Sequence, residues 1–317
     1  MKRILLTGTV ILGLFGLVAC GKPEQVEIEP ETVAVEETAS VETAEVANDK
    51  TESGNTVSDK TEATAETDAF GDRSEEIKKA VKETVSGAAS LNDEFAAIEK
   101  LSAKYGEEAK KAESQTEMNA TSAWFYNIWD SELNELWSRI SDSADAATKE
   151  KLLNEQRNWI SMKEAAVYEN IGSMEENGSW YPMLVNAFYE KITRNRAYVL
   201  GNELAKIKGE SFSMPAYSSP YGYFVDNQGT GDVYSSIVLR EGMEAGSTEA
   251  RISIYRLTVL DGTFEDGGNG EVVFTSNDGA VTGTIKNNGW DGATFKVTES
   301  TWSLLPAGEE FTFPLAI

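Results

Sequence analysis

SQTEMNATSAWFYNIWDSELNELWSRI, residues 114–140, is the stretch on which the reading of the fold turns. Ser114 and Glu117 stand three residues apart, a capping box that satisfies the first free amides of a helix. Behind them Phe125, Trp129, Leu133, Leu136 and Ile140 recur at steps of four, four, three and four. Those steps put them on one face of an α-helix. No proline occurs between Pro30 and Pro182, so long helices are permitted on both sides.

Downstream, a short polar turn at 141–145 leads into a second helix. Its inner side is expected along Leu153, Ile160 and Val167, widened by Leu152, Trp159 and Ala166, with Gln156 as a polar interruption. Residues 172–179 break the pattern. A third long helix starts near Ser179, with Pro182 in its first turn and a face of Tyr181, Val185, Phe188, Ile192 and Val199. Short connections predict an antiparallel bundle. Upstream, segments near 74–86 and 91–111 are weakly apolar and are expected at its periphery. The helical domain is placed at 73–208.

Three stretches of this region resemble the lysozyme inhibitor LprI-like domain. They are Ser114 to Asn119 followed by Trp129 to Asn134; Glu155 to Ile160 with Lys163, Glu164 and Ala165 behind it; and Gly172 to Met174 followed by Thr193 to Arg196 and Leu200. The resemblance implies a helical module of bacterial envelope proteins, inhibition of lysozyme in some members, and no catalysis. Many members carry cysteines that staple the helices; here Thr121 or Ser122 sits near one such place, so aromatic packing has to supply the stability. The candidate binding residues are Asn119, Asp130, Asn134, Gln156, Arg157, Trp159 and Arg194. A structural role competes with this reading. Arg157 would pair with Asp130 or Glu132 across the bundle, while Asn134 and Gln156 hydrogen-bond within it. Arg194 and Arg196, two apart, cannot share a helix face, so at least one is expected in solvent.

After Gly209 the pattern changes to short alternating runs: 233–239, 252–260, 271–275, 280–286, 293–299 and 310–315. Turn signals separate them, among them Asp266-Gly267-Gly268, Asn277-Asp278-Gly279 and Asn287-Asn288-Gly289. Residues 209–317 are therefore read as an antiparallel all-β barrel or sandwich. The fold class is α+β as separate domains, an antiparallel α-helical bundle followed by that β domain. Carboxylates near Asp226, Asp232, Glu241 and Glu244 are read as solvated rather than as a catalytic pair. Trp290 and Trp302 are read as packing rather than as sugar platforms. Asp266 and Asn269 match no calcium-loop pattern.

At the N-terminus, Lys2 and Arg3 precede an apolar run, Ile4 to Val18, too short for a comfortable transmembrane helix. It ends in Leu17-Val18-Ala19-Cys20, which resembles a bacterial lipobox. The resemblance implies a signal peptide at 1–19 and lipid on Cys20, the chain's one cysteine. Several acyl chains on that residue would anchor the protein where one would be marginal. Residues 21–72 carry 15 acidic residues against 3 lysines and one aromatic, Phe70. Such a segment cannot bury enough apolar area to offset chain entropy. It reads as a disordered tether reaching about 40 Å or more.

The chain's net charge is −25, and it holds no histidine. Histidine-based catalysis and imidazole metal sites are excluded. The lone cysteine excludes an intrachain disulfide and a thiolate cluster. No cofactor and no metal site is implied, and phosphate backbones would be repelled, so nucleic acid is not an expected partner. The expected partners are the membrane, through Cys20, and lysozyme or another cationic peptidoglycan-active protein. The expected location is the outer face of the bacterial cytoplasmic membrane, a Gram-positive surface being favoured. The rival reading is a non-inhibitory scaffold or ligand-binding lipoprotein whose β domain recognises glycan or protein.

Overall fold

A computed structural model of the chain describes residues 69–317 apart from 218, 228–232 and 243. The expected signal peptide, Cys20, almost all of the expected tether and Asp232 lie outside the described residues. Six helices come first: α1 (Ser74–Gly87), α2 (Leu91–Ala109), α3 (Gln115–Ser143), α4 (Ala146–Ile171), the single turn α5 (Met174–Asn177) and α6 (Tyr181–Lys208). The capping box at Ser114 and Glu117 is formed, and the Asp145 carboxylate accepts from the Ala147 and Thr148 amides to start α4.

Helix α3 packs along the length of α6, with α1 and α2 against α3, and α4 against α6. The principal neighbour of α3 is therefore α6 and not α4, its successor in the chain. The apolar face of α3 is close to the expected one, with Trp129, Leu133, Leu136 and Ile140 buried, whereas the faces of α4 and α6 are turned. Trp124 and Ile128 are buried on α3, while Phe125 is half-buried. On α4 the centre of the face is Leu152, Gln156, Trp159 and Ala166, and Ile160 faces solvent. The face of α6 is set further along, at Ile192, Thr193, Arg196, Ala197, Leu200 and Leu204, while Val185 and Phe188 are half-buried. The buried faces of α4 and α6 also carry polar groups: Gln156 and Arg196 meet in the core, a pairing no apolar periodicity reveals. Helices α1 and α2 are not peripheral either. Ile77, Val81, Phe95 and Ile98 are core residues, and the Phe95 ring lies 4.6 Å from Tyr198 and 4.9 Å from Phe212. Where cysteine staples are expected in relatives, Asn186 of α6 donates to the Ser122 hydroxyl of α3 at 2.9 Å.

The C-terminal part is one antiparallel sheet of nine strands: β1 (Gly222–Asn227), β2 (Tyr234–Glu241), β3 (Thr248–Ile254), β4 (Thr258–Gly268), β5 (Glu271–Ser276), β6 (Val281–Asn287), β7 (Ala293–Ser300), β8 (Glu310–Phe313) and β9 (Leu315–Ala316). It runs as a meander, and its order begins with β8 and ends with β9. Those two are consecutive in the chain, with Pro314 alone between them, so the last segment joins β7 to β1 and the sheet becomes a nearly closed barrel, not a sandwich. Proline suits that point because it cannot donate to a ladder. Inward residues alternate along most strands, as Leu260, Gly262 and Phe264 do on β4. The Phe274 and Phe295 rings fill the space left by Gly262 and Gly283, meeting edge to face at 5.8 Å.

Six apolar runs were readable where nine strands exist. The run at 252–260 is two strands, turned over at Tyr255–Leu257 without glycine or proline; Arg256 takes the left-handed backbone itself, at φ 58. Strand β1 is buried at Gly222, Tyr223, Phe224 and Val225 in succession, so it shows no alternation. The reason is cover on both sides. Phe224, Ile237 and Leu239 point into the barrel, whereas Tyr223, Val225, Val238 and Ile317 belong to the apolar core of the helices. The bundle and the barrel thus share an apolar seam.

Candidate functional site

Helix α4 ends at Ile171 on Gly172, whose φ of +84 only glycine adopts readily; a Cβ there would stand 2.5 Å from a Glu176 carboxylate oxygen. Ser173 then caps α5, and Glu176 returns to the Ser173 amide at 2.7 Å, a second capping box. Those hydrogen bonds, the backbone one first, hold the Glu176 carboxyl below its usual range, so it stays ionised. The Asn177 side chain donates to the Ile171 and Ser173 carbonyls at 2.8 and 3.0 Å. From α3, Asn119 donates to the Ser179 carbonyl at 3.0 Å. Residues 172–180 are therefore a pre-ordered projection. Its surface carries Met174, 63% exposed, and Trp180, 54% exposed, beside Glu175 and Glu176. Tyr168, 71% exposed, adds to it from the last turn of α4. With Arg157, Ile160 and Glu164, Tyr168 forms a solvent-facing stripe at steps of three, four and four.

Beside this stripe, Lys163 of α4 sits in an aromatic seat. Its ammonium lies 4.9 Å from the Tyr126 ring, 5.1 Å from Trp159 and 4.8 Å from Tyr189. It donates to the Tyr126 hydroxyl at 3.0 Å, which in turn donates to Asp130 at 3.4 Å. Asn134 donates to the other Asp130 oxygen at 3.2 Å. Burial pushes the Asp130 carboxyl up and the Lys163 ammonium down, while their mutual attraction opposes both shifts. The seat ties α3, α4 and α6 together, and cation–π contacts of this kind are strongest where water is excluded.

Among the sequence candidates, Asp130, Asn134 and Trp159 converge on Lys163. Gln156 faces the other way: its side-chain oxygen accepts from Arg196 at 2.8 Å. Burial lowers the Arg196 guanidinium to about 10. Arg157 is exposed and meets neither Asp130 nor Glu132. The latter lies 3.9 Å from Arg139 instead. Arg194 binds Glu99 at 2.8 Å, with its guanidinium 5.5 Å from the Trp129 ring. Asn119 anchors the projection. Lys163, Tyr126 and Tyr189 were not among the candidates, although Lys163 falls four residues after Trp159 and Tyr126 four before Asp130, the spacing of helix-face neighbours. Trp290 and Trp302 pack against their surroundings, Trp290 donating to the Pro215 carbonyl at 3.0 Å. Among the described residues, no cluster of three or more acidic side chains is placed to hold a metal ion, and no helix is long and apolar enough to cross a membrane.

The geometry provides an ordered, acidic and partly apolar projection. No curated protein and no solved structure matches the chain. Residues 106–200, from the end of α2 through the projection to the last third of α6, match the family model described as Lysozyme inhibitor LprI, so the chain carries an LprI-like domain there.

Proposed function

We propose that this chain is a cell-envelope lipoprotein that binds and inhibits a cationic wall-cutting enzyme such as lysozyme by non-covalent occlusion. The observation that carries the reading is the family match over 106–200, within which the pre-ordered 172–180 projection lies. Inhibition of this kind needs no chemistry from the inhibitor. The projection enters the enzyme's cleft with Trp180 and Met174 as apolar anchors, and Glu175 and Glu176 meet cationic groups around it. Ordering in advance spares the entropy that a flexible loop would lose on binding. The net charge of −25 speeds encounter with a cationic partner and makes the complex salt-sensitive. Lipid on Cys20 and the acidic segment after it would hold this surface outside the membrane, where such enzymes act.

The test is a clearing assay of lysozyme on cell walls with the full chain. Inhibition is expected at low salt and is expected to weaken as salt rises. Trp180→Ala should lose roughly tenfold or more in potency, the scale of a buried aromatic anchor. Complete clearing at a large excess of the chain, with no complex detectable at low salt, ends the reading. The anchoring part is checked separately: Cys20→Ser should move the protein from the membrane fraction to the medium.

A further inference from the structure

Lys191, Arg194, Asn195 and Tyr198 follow one another on α6 at steps of three, one and three, and so share a face. Opposite them stand Tyr217 and Tyr221, from the segment between α6 and β1, and Trp290, from the turn between β6 and β7. A cleft of about 240 Å³ lies between the two walls. The second wall is pinned to the barrel. Trp290 donates to the Pro215 carbonyl at 3.0 Å, Asn287 donates to the Ser219 carbonyl at 3.1 Å, and the Tyr217 and Trp290 rings meet edge-on at 5.2 Å.

The charge of the cleft runs against that of the molecule. Lys191 and Arg194 are its charged lining residues, on a chain of net charge −25. Arg194 is committed to Glu99 and lies near Glu190. Lys191 is exposed and has no ion-pair partner among the described residues, so it is the cation left for a ligand. Tyr217, Ser219 and Tyr221 also line a larger cleft of about 830 Å³ at the barrel mouth, whose charged residues are Glu265, Asp266 and Glu271. An extended polyanion leaving the basic cleft over that shared wall would meet three carboxylates. A ligand with one negative charge would not. Aromatic side chains with hydroxyl and amide groups between them suit the apolar face and polar edge of a sugar ring.

We propose that this cleft binds a saccharide bearing a single carboxylate, with its ring against the Tyr217–Trp290 wall and its carboxylate on Lys191. The site uses residues outside the 172–180 projection and does not rest on the inhibitor reading.

The probes are N-acetylmuramic acid and N-acetylglucosamine, which differ by a carboxylate-bearing lactyl group, with dextran sulfate as the polyanion. Binding to the full chain is read by saturation-transfer NMR and calorimetry. N-acetylmuramic acid is expected to bind at least about tenfold more tightly than N-acetylglucosamine, the scale of one charge-assisted hydrogen bond. Lys191→Gln should remove that preference, and Lys191→Arg should largely keep it. Lys191 is exposed, so an unchanged thermal midpoint in either variant separates lost binding from lost folding. Lysozyme clearing is measured on the same Lys191→Gln sample and is expected to be unaffected. Equal binding of the two sugars, no binding of either, or tighter binding of dextran sulfate that Lys191→Gln abolishes would each overturn the proposal.

Discussion

Glu132 of α3 is fully buried, and neither of its carboxylate oxygens has a hydrogen-bond partner. Arg139, two turns on, is engaged by Glu94 of α2 at 2.8 Å and stays 3.9 Å from Glu132. One partly exposed cation thus faces two buried carboxyls. Burial first, and then the Glu94 carboxyl beside it, push the Glu132 pKa well above the ordinary glutamate range. An acid whose folded pKa is raised stabilises the fold fully below its unfolded pKa, and that contribution is lost as pH rises through the folded value. Glu132→Gln keeps the shape and removes the titration. In denaturant titrations the variant should match the parent near pH 4 and exceed it by roughly 1–3 kcal/mol at pH 8. A variant weaker than the parent at pH 8 would mean that Arg139 depends on the second negative charge. The apolar periodicity of α3 places position 132 near the core, but nothing in the sequence pairs it with Glu94, which is far away in the chain.

At the scale of elements, the projection between α4 and α6 shows how local signals and long-range contacts combine. Ser173 and Glu176 form a capping box within four residues, and Gly172 permits the reversal before it. What aims the projection is Asn119, on another helix. Ser173→Ala should cost about 1 kcal/mol locally, enough to melt a single turn that has little else to hold it. Hydrogen exchange across 172–180 is expected to rise, with α3 and α6 unchanged, and inhibition of lysozyme should fall several-fold. Faster exchange with full inhibition would remove the projection from the contact surface. The elements misread from sequence have physical causes. Helices α1 and α2 looked peripheral because charged residues interrupt their apolar positions, yet Phe95 reaches the aromatic cluster of Tyr198 and Phe212 and Glu99 accepts from the Tyr198 hydroxyl. Strands β3 and β4 looked like one run because Arg256 makes the turn that glycine usually makes.

For the whole molecule, the barrel is closed by its last residues. Leu315 and Ala316 pair with β1, and the Ile317 amide donates to the Tyr223 carbonyl at 2.9 Å. The Ile317 side chain is buried in the core of the helices. Deleting residues 315–317 removes a strand from the barrel and an apolar contact from the seam at once. The loss should be about 2–5 kcal/mol, the range of a large core truncation, read as a lower thermal midpoint. It should also expose the edge of β1, which is a template for aggregation. An unchanged midpoint would show that the closure contributes nothing to stability.

Composition, capping and periodicity by themselves determined that helices precede strands and where α3, α4 and α6 run, while the likeness to the LprI family came from matching motifs and not from any of these. Those properties are legible because they depend on neighbours within a few residues, where backbone geometry sets the spacing. Only the tertiary structure decided that α3 pairs with α6, that Gln156 meets Arg196, that Lys163 takes an aromatic seat, and that β1 and β2 are covered on both faces. Each of these joins residues far apart in the chain through burial, and burial is a property of the assembled core that no local pattern carries.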